Sequence, residues 1–89
     1  MTTFRKDPEA VLDYHVDWSD WLGVDTIVTS SWSCDDDGIT IDSDSTTTTV
    51  ATVWLSGGTV DEMYEVVNHI ITAAGREEDK TINIRIREN

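Results

Sequence analysis

Residues 64 to 87 read Y-E-V-V-N-H-I-I-T-A-A-G-R-E-E-D-K-T-I-N-I-R-I-R, and this stretch decides the fold. Apolar and polar side chains alternate in both of its halves. Because successive side chains of a β-strand point to opposite faces of a sheet, the alternation predicts two half-buried strands. Between them, residues 73 to 80 are small and then charged and include Gly75, which predicts a hairpin loop. The predicted buried faces are formed by Tyr64, Val66, Asn68 and Ile70, and by Ile82, Ile84 and Ile86.

Shorter alternating segments precede this hairpin. We expect strands at residues 11 to 18, 26 to 33, 39 onward and 49 to 55. A bulge near Ser30 and Ser31 would explain the imperfect alternation of the second of these. Six or seven short strands, with turn signals roughly every eight to twelve residues, are typical of an all-β, antiparallel β-sandwich. Residues 60 to 71 also fit a helical stripe, but their branched side chains favour a strand, so we expect no helix.

The length of the chain fits one domain. At 89 residues it lies near the small end of chains that fold alone, and its hydrophobic fraction of 38% is too high for a disordered protein. We expect residues 11 to 89 to form a single domain. Residues 1 to 10 resemble an N-terminal arm that becomes ordered on contact with a partner, and a frayed end is the alternative.

The charge of the chain disfavours several classes of partner. Eighteen acidic and six basic side chains give a net charge of −12, which repels phosphate backbones and argues against nucleic-acid binding. Such charge either keeps a protein soluble or provides a surface for a basic partner. There is no apolar run of about eighteen residues to span a membrane, and no secretory signal is recognisable. The single Cys34 fits folding in a reducing cytoplasm.

The four tryptophans are candidates for core and contact positions, since large aromatic side chains anchor both. Trp32 lies in the middle of a predicted strand and is expected to be the core tryptophan, and Trp18 is expected to be buried too. Trp21 lies in a predicted connection, and Trp54 alternates with the inward Val53 and Leu55. We therefore predict Trp21 and Trp54 as protein-interface residues, with a role in covering the ends of the sandwich as the alternative.

An acidic cluster at residues 35 to 44 raises the question of a metal. Its carboxylates could contribute oxygen ligands to Ca²⁺, but the spacing does not match an EF-hand loop, so a solvated acidic turn is the main interpretation. The cluster consists of Asp35, Asp36, Asp37, Asp42 and Asp44. No Ser-His-Asp or Cys-His arrangement is recognisable, and His15 and His69 fall on outward faces. We expect no catalytic residue, no cofactor and no resident metal.

Three segments resemble a known family. They read K-D-P-E-A-V-L-D-Y-H-V-D-W at 6 to 18, V-W-L-S-G-G-T at 53 to 59 and Y-E-V-V-N-H-I-I-T-A-A-G-R at 64 to 76. The last hairpin is also similar to that of immunoglobulin-like domains of the bacterial and cadherin-like kind. Together the segments resemble small structural proteins of tailed bacteriophages that are described as fibre-tail adaptor proteins, and the likeness covers nearly the whole chain.

The resemblance implies a small immunoglobulin-like sandwich in the virion, made in the host cytoplasm, that joins the tail or neck to a receptor-binding fibre. It implies other virion proteins as partners, several copies per particle and no catalytic residues. Through the family, Tyr64 is expected to bond the backbone a few residues upstream. The alternatives are a head decoration or neck protein, a calcium-dependent or sugar-binding module of a surface protein, and a host-directed inhibitor.

Arg85 and Arg87 share the outward face of the last predicted strand in an otherwise acidic protein. One interpretation is edge protection, because charge on an edge strand discourages unwanted strand pairing. The other is a basic stripe that contacts the acidic face of a neighbouring copy or of another virion protein. We name both residues as interface candidates, and the sequence leaves the two interpretations open.

Overall fold

A computed structural model describes residues 2–34 and 38–87. It is a sandwich of a four-stranded sheet in the order β1-β7-β6-β3 and a three-stranded sheet in the order β2-β5-β4. This confirms the predicted all-β, immunoglobulin-like sandwich. The elements are β1 (Thr2–Lys6), β2 (Leu12–Asp17), α1 (Ser19–Leu22), β3 (Ile27–Cys34), β4 (Ile39–Thr46), β5 (Val50–Gly57), β6 (Met63–Thr72) and β7 (Glu77–Ile86). The turn predicted at Asp35 to Asp37 lies outside the described residues.

The hairpin formed by β6 and β7 is the centre of the larger sheet. The two strands pair antiparallel, with Tyr64 opposite Ile84 and Val66 opposite Ile82, as the alternation of the sequence predicted. The turn is shorter than expected because β7 already begins at Glu77. Gly75 takes a φ of 86°, a conformation that disfavours residues with a side chain, and its N–H donates to the carbonyl of Thr72.

The core lies between the inward faces of the two sheets. Ala51, Val53 and Leu55 are fully buried, as predicted. They pack against the buried face of the hairpin, within one continuous cluster. The buried Asn68 is satisfied there, since its Oδ1 accepts from the indole N–H of Trp18 at 2.9 Å and its Nδ2 donates to the hydroxyl of Ser30 at 2.9 Å.

The prediction that Trp32 is the core tryptophan is confirmed only in part, since Trp32 packs against the core without being fully buried, whereas Trp18 is buried within it. Trp32 lies on β3, an edge strand of the larger sheet, where neighbours cover it from one side only. It is half-buried, and its Nε1 has no hydrogen-bond partner among the described residues. Trp18 lies where β2 ends, is buried, and donates its N–H to Asn68.

The interpretation of residues 1 to 10 as an arm is wrong for Thr2–Lys6, which form β1. This strand pairs parallel with β7, from Thr2 opposite Ile82 to Lys6 opposite Ile86. The other strand pairs are antiparallel, as expected. The Lys6 side chain is 1% exposed and its Nζ donates to the carbonyl of Gly57 on β5 at 2.6 Å, so it joins the two sheets.

The irregularities of the edge strands differ from those expected. In β3 the register shifts between Ile27 and Thr29 rather than near Ser30 and Ser31. The single turn of α1 follows β2, where no helix was predicted. The prediction that residues 60 to 71 avoid a helix is confirmed, since β6 begins at Met63.

Candidate protein-interaction surfaces

Trp21 lies on α1 and is 37% exposed. Its ring packs edge-on against Trp18, with centroids 5.4 Å apart, and the guanidinium carbon of Arg76 lies 4.2 Å from its centroid. Arg76 is held in turn by Asp25, at 3.0 Å between Nε and Oδ2, and by the carbonyl of Leu22 at 3.0 Å from Nη2. The exposed part of Trp21 is therefore held in one orientation, as an aromatic anchor of an interface requires.

Asp25 fixes this end of the molecule, which we call the Trp21 end and define by Trp21, Asp25 and Arg76. A hydrogen bond from the Thr72 hydroxyl lowers the pKa of Asp25 to about 2, although burial acts in the opposite direction. Further hydrogen bonds that lower this pKa come from the N–H of Thr26, from Arg76 and from the N–H of Ala74. The side chain of Asp25 is only 8% exposed. It connects the loop after α1 to the turn between β6 and β7.

Trp54 lies on the outward face of the three-stranded sheet, as the alternation of β5 predicted. It is 41% exposed, with Asp13 of β2 opposite it on one side and Ser43 of β4 on the other. Neither neighbour is large enough to cover the indole ring. Trp54 is therefore an aromatic side chain available on a sheet face and separate from the Trp21 end.

Arg85 and Arg87 lie at the other end of the larger sheet. Arg85 is exposed on β7, between Arg5 of β1 and Met63 of β6, while Arg87 follows the strand and pairs with the carboxylate of Asp61. Because β7 is an interior strand, the interpretation of these arginines as edge protection is wrong.

Arg5 is a residue that the sequence did not single out, because its place beside Arg85 depends on the parallel pairing of β1 with β7. Within residues 2–34 and 38–87 neither Arg5 nor Arg85 has a carboxylate partner in an ion pair. Like charges directly opposite each other destabilise a sheet, so a contact with an external acidic group would relieve this pair. We call Arg5, Arg85 and Arg87 the arginine end.

The two ends are far apart. The strand β6 has 10 residues and runs from Met63, opposite Arg85, to Thr72, whose N–H donates to the carbonyl of Arg76. At about 3.3 Å per residue this separates the ends by about 30 Å. The molecule measures 41 Å along its longest axis, so the four predicted interface residues lie on three separate surfaces rather than in one site.

His69 contacts two carboxylates on the outward face of the larger sheet, where its position in the alternation placed it. Its Nδ1 contacts the carboxylate of Asp79 and its Nε2 lies 3.1 Å from Oε1 of Glu77. The hydrogen bond with Asp79 raises the pKa of His69 above its usual value of 6.5; burial opposes this shift, and the hydrogen bond with Glu77 adds to it.

No metal site is present among the residues that the structure describes. Asp42 and Asp44 are exposed on β4, while Asp35 to Asp37 lie outside the described part of the chain, so the calcium interpretation of this cluster stays a prediction. An open cleft of about 230 Å³ lies between the sheets beside β1 and β2. Its lining contains no hydroxyl or thiol nucleophile and consists of Phe4, His15, Val16, Asp17, Lys80 and Ile82.

Residues 6–85 match the family model described as "Podophage GP4 fiber-tail adaptor protein gp77". The chain belongs to this fibre-tail adaptor family. The resemblance noted in the sequence is thereby confirmed over most of the chain. Among curated proteins, none matches.

The fold of this fibre-tail adaptor family member is similar to that in the structure "Solution structure of the PKD domain from KIAA 1837 protein". The two chains are 15% identical, the likeness covers 99% of this chain and 80% of the other, and the TM-score is 0.58. At that identity the comparison concerns the fold alone. No helix among the described residues is long and apolar enough to cross a membrane.

The contact that the family predicted for Tyr64 is present. Its hydroxyl accepts a hydrogen bond from the N–H of Thr59 at 3.0 Å, five positions upstream. The ring leaves no room at Gly38, where an added Cβ would lie 2.4 Å from the Tyr64 hydroxyl. Tyr64 therefore has a structural role, because it holds the turn at Thr59 that precedes β6.

Proposed function

We propose that this protein is a virion adaptor that joins the tail or neck of a podophage to a fibre through protein–protein contacts. The observation that carries the proposal is the family match over residues 6–85, because the family is described by that role. The fold is consistent with it, since immunoglobulin-like sandwiches present rigid surfaces for binding. We propose no catalytic activity, no cofactor and no contact with nucleic acid or membrane.

An adaptor has to contact two partners at once, and the arrangement of the candidate residues suits this. The Trp21 end offers a fixed aromatic ring, while the arginine end, about 30 Å away by the length of β6, offers the positive charge of Arg5 and Arg85, which have no ion-pair partner among the described residues. We propose that one end contacts the tail side and the other the fibre side, and that Trp54 adds a lateral contact. Aromatic residues and arginine are enriched among the residues that dominate interface energies.

Peptide mass spectrometry of density-purified particles tests the location and the copy number. We expect the protein in the virion, made in the host cytoplasm, at about a few to a dozen copies per particle relative to the capsid protein, because tail components are arranged with closed symmetry. Hundreds of copies would indicate a head decoration protein instead. Complete absence from particles would overturn the adaptor function.

The aromatic contact is tested by particle incorporation of Trp54→Ala beside Leu12→Ala. Both residues lie on the three-stranded sheet and are about equally exposed, at 41% and 39%. We expect Trp54→Ala to reduce incorporation at least tenfold, since a truncated interface anchor costs about 2 kcal/mol or more. Equal incorporation of the two variants would remove Trp54 from the interface.

A further inference from the structure

Within the described part of the chain the sandwich has four edge strands, β1, β2, β3 and β4, and they differ in charge. An unpaired strand edge can bind another strand through its backbone, and natural proteins discourage this with charged side chains, proline or bulges. Three of the edges carry exposed charges, which are Arg5 on β1, Asp13 and Asp17 on β2, and Asp42 and Asp44 on β4. The fourth edge, β3, reads I-V-T-S-S-W-S-C and has neither charge nor proline.

The surface of β3 is small and partly apolar. Val28 is 64% exposed, and Thr29, Ser31 and Ser33 are exposed along the outward face of the strand. The register shift with β6 is confined to the beginning of the strand, so that the pairing from Thr29 to Cys34 is regular. This leaves an uncharged edge of regular register in a protein with a net charge of −12.

We propose that β3 is a self-association edge, which pairs antiparallel with β3 of a second copy and joins the two four-stranded sheets into one continuous sheet. The proposal is independent of the adaptor role. A two-fold axis pairs a strand with the same strand of the second copy, so the charged residues of a self-pairing edge come close to residues of the same charge. Repulsion between like charges therefore opposes self-pairing through β1, β2 or β4, whereas β3 has no charged residue to repel its copy.

An antiparallel pair centred on Ser31 places the two Ser31 residues opposite each other and Thr29 opposite Ser33, a favourable cross-strand combination of small hydroxyl side chains. In that alignment Cys34 of each copy lies opposite Val28 of the other. The two thiols are then separated by about 20 Å along the strands, which is too far for a disulfide. Asp35 to Asp37 follow β3 in the sequence and add to the repulsion between copies, so added salt is expected to strengthen the dimer.

Sedimentation equilibrium of the full chain tests this, with Ser31→Lys as the disrupting variant and Ser45→Lys as its control. Both serines are exposed on edge strands, and both changes move the net charge from −12 by the same single unit. For the wild type and Ser45→Lys we expect the mass to rise from 10.0 kDa towards twice that value with protein concentration and with salt. Ser31→Lys is expected to stay monomeric.

A disulfide test locates the contact without adding charge. Ser31→Cys in a Cys34→Ser background is expected to form a covalent dimer on mild oxidation, whereas Ser45→Cys in the same background is not. The proposal is overturned if the wild type stays monomeric at all concentrations and salts, or if Ser31→Lys dimerises as well as Ser45→Lys. It is also overturned by equal crosslinking at both positions. None of these outcomes touches the adaptor function, which is tested by particle composition.

Discussion

Gly38 and Tyr64 show how closely two residues can depend on each other. A Cβ at position 38 would lie 2.4 Å from the Tyr64 hydroxyl and 2.8 Å from its Cε1. We expect Gly38→Ala to lower the free energy of unfolding by about 1–3 kcal/mol, the usual cost of overpacking. Urea denaturation measures this directly.

A double-mutant cycle supplies the control. Tyr64→Phe removes the hydroxyl that both accepts from the Thr59 N–H and crowds position 38, at a cost of about 1 kcal/mol on its own. The double variant should therefore lose less than the sum of the two single losses. Strict additivity would show that the Tyr64 hydroxyl is not what excludes a side chain at Gly38.

Asp25 makes the Trp21 end sensitive to acid. The pKa of Asp25 in the folded protein, about 2, lies below the ordinary value of 3.8. Ionised Asp25 therefore stabilises the fold fully at a pH above 3.8, and this stabilisation is lost as the pH falls through about 2. We expect Asp25→Asn to have a lower thermal midpoint than the wild type at pH 6, and the difference to shrink between about pH 4 and pH 2. Asp20→Asn, an exposed carboxylate on α1, is the control and should show no such convergence.

His69 has the opposite dependence on pH. Because its pKa is raised in the folded state, the stabilisation by Asp79 and Glu77 is complete below the ordinary pKa of 6.5 and is lost as the pH rises through the folded value. An NMR titration of the imidazole should place its pKa above 6.5, and Asp79→Asn should lower it. An unchanged pKa in that variant would contradict the proposed contact.

At the scale of elements, the Lys6 side chain connects β1 to the second sheet. Lys6 is buried, and its Nζ donates to the carbonyls of Gly57 and Asp7, while burial, opposed by Asp7 and Asp42, lowers its pKa below the usual value. Lys6→Ala removes a packed aliphatic stem and the hydrogen bond from Nζ to the Gly57 carbonyl, so we expect a loss of about 2 kcal/mol in urea denaturation.

Arg5→Ala is the matched control for this element, since Arg5 is the exposed neighbour on the same strand. A surface substitution of this kind normally changes stability by less than about 0.5 kcal/mol. If both variants lost the same amount, β1 would be held by its backbone pairing rather than by Lys6.

The elements that the sequence predicted are those whose pattern is local. Alternation in β6, β7 and β5 depends only on which face each side chain takes, and it correctly placed their buried residues. The strand β1 was missed because Thr2–Lys6 is short and owes its order to pairing with a strand about eighty positions later. The incomplete burial of Trp32 was missed for a similar reason, since a linear pattern does not reveal that β3 is an edge strand.

The candidate surfaces were predicted only in part. The exposure of Trp21 was predicted from its place in a connection between strands, and the exposure of Trp54 from the alternation of β5. The partners that orient Trp21 could not be predicted, because Arg76 and Asp25 are remote from each other in sequence and meet at one end of the sandwich. Arg5 beside Arg85 is a product of the parallel pairing, which no local pattern indicates.

At the scale of the whole molecule, the net charge of −12 opposes compaction. Raising the salt concentration from about 0.01 M to about 0.15 M shortens the Debye length from about 30 Å to about 8 Å and screens this repulsion. We expect the thermal midpoint at pH 7 to rise over this range. Near pH 4.1, where the net charge approaches zero, the same salt should have little effect. A fall of the midpoint with salt at pH 7 would mean that attractive ion pairs dominate.

The parallel pairing of β1 with β7 also has a mechanical consequence. Thr2 lies beside Ile82 and Lys6 beside Ile86, so a pull on Thr2 against Arg87 slides the two strands along each other instead of peeling them apart. In a sliding geometry the hydrogen bonds between the strands share the load and have to break together. A load applied between these two residues is therefore resisted by the whole β1–β7 pairing at once, whereas a load that peeled the strands apart would break the same bonds one after another.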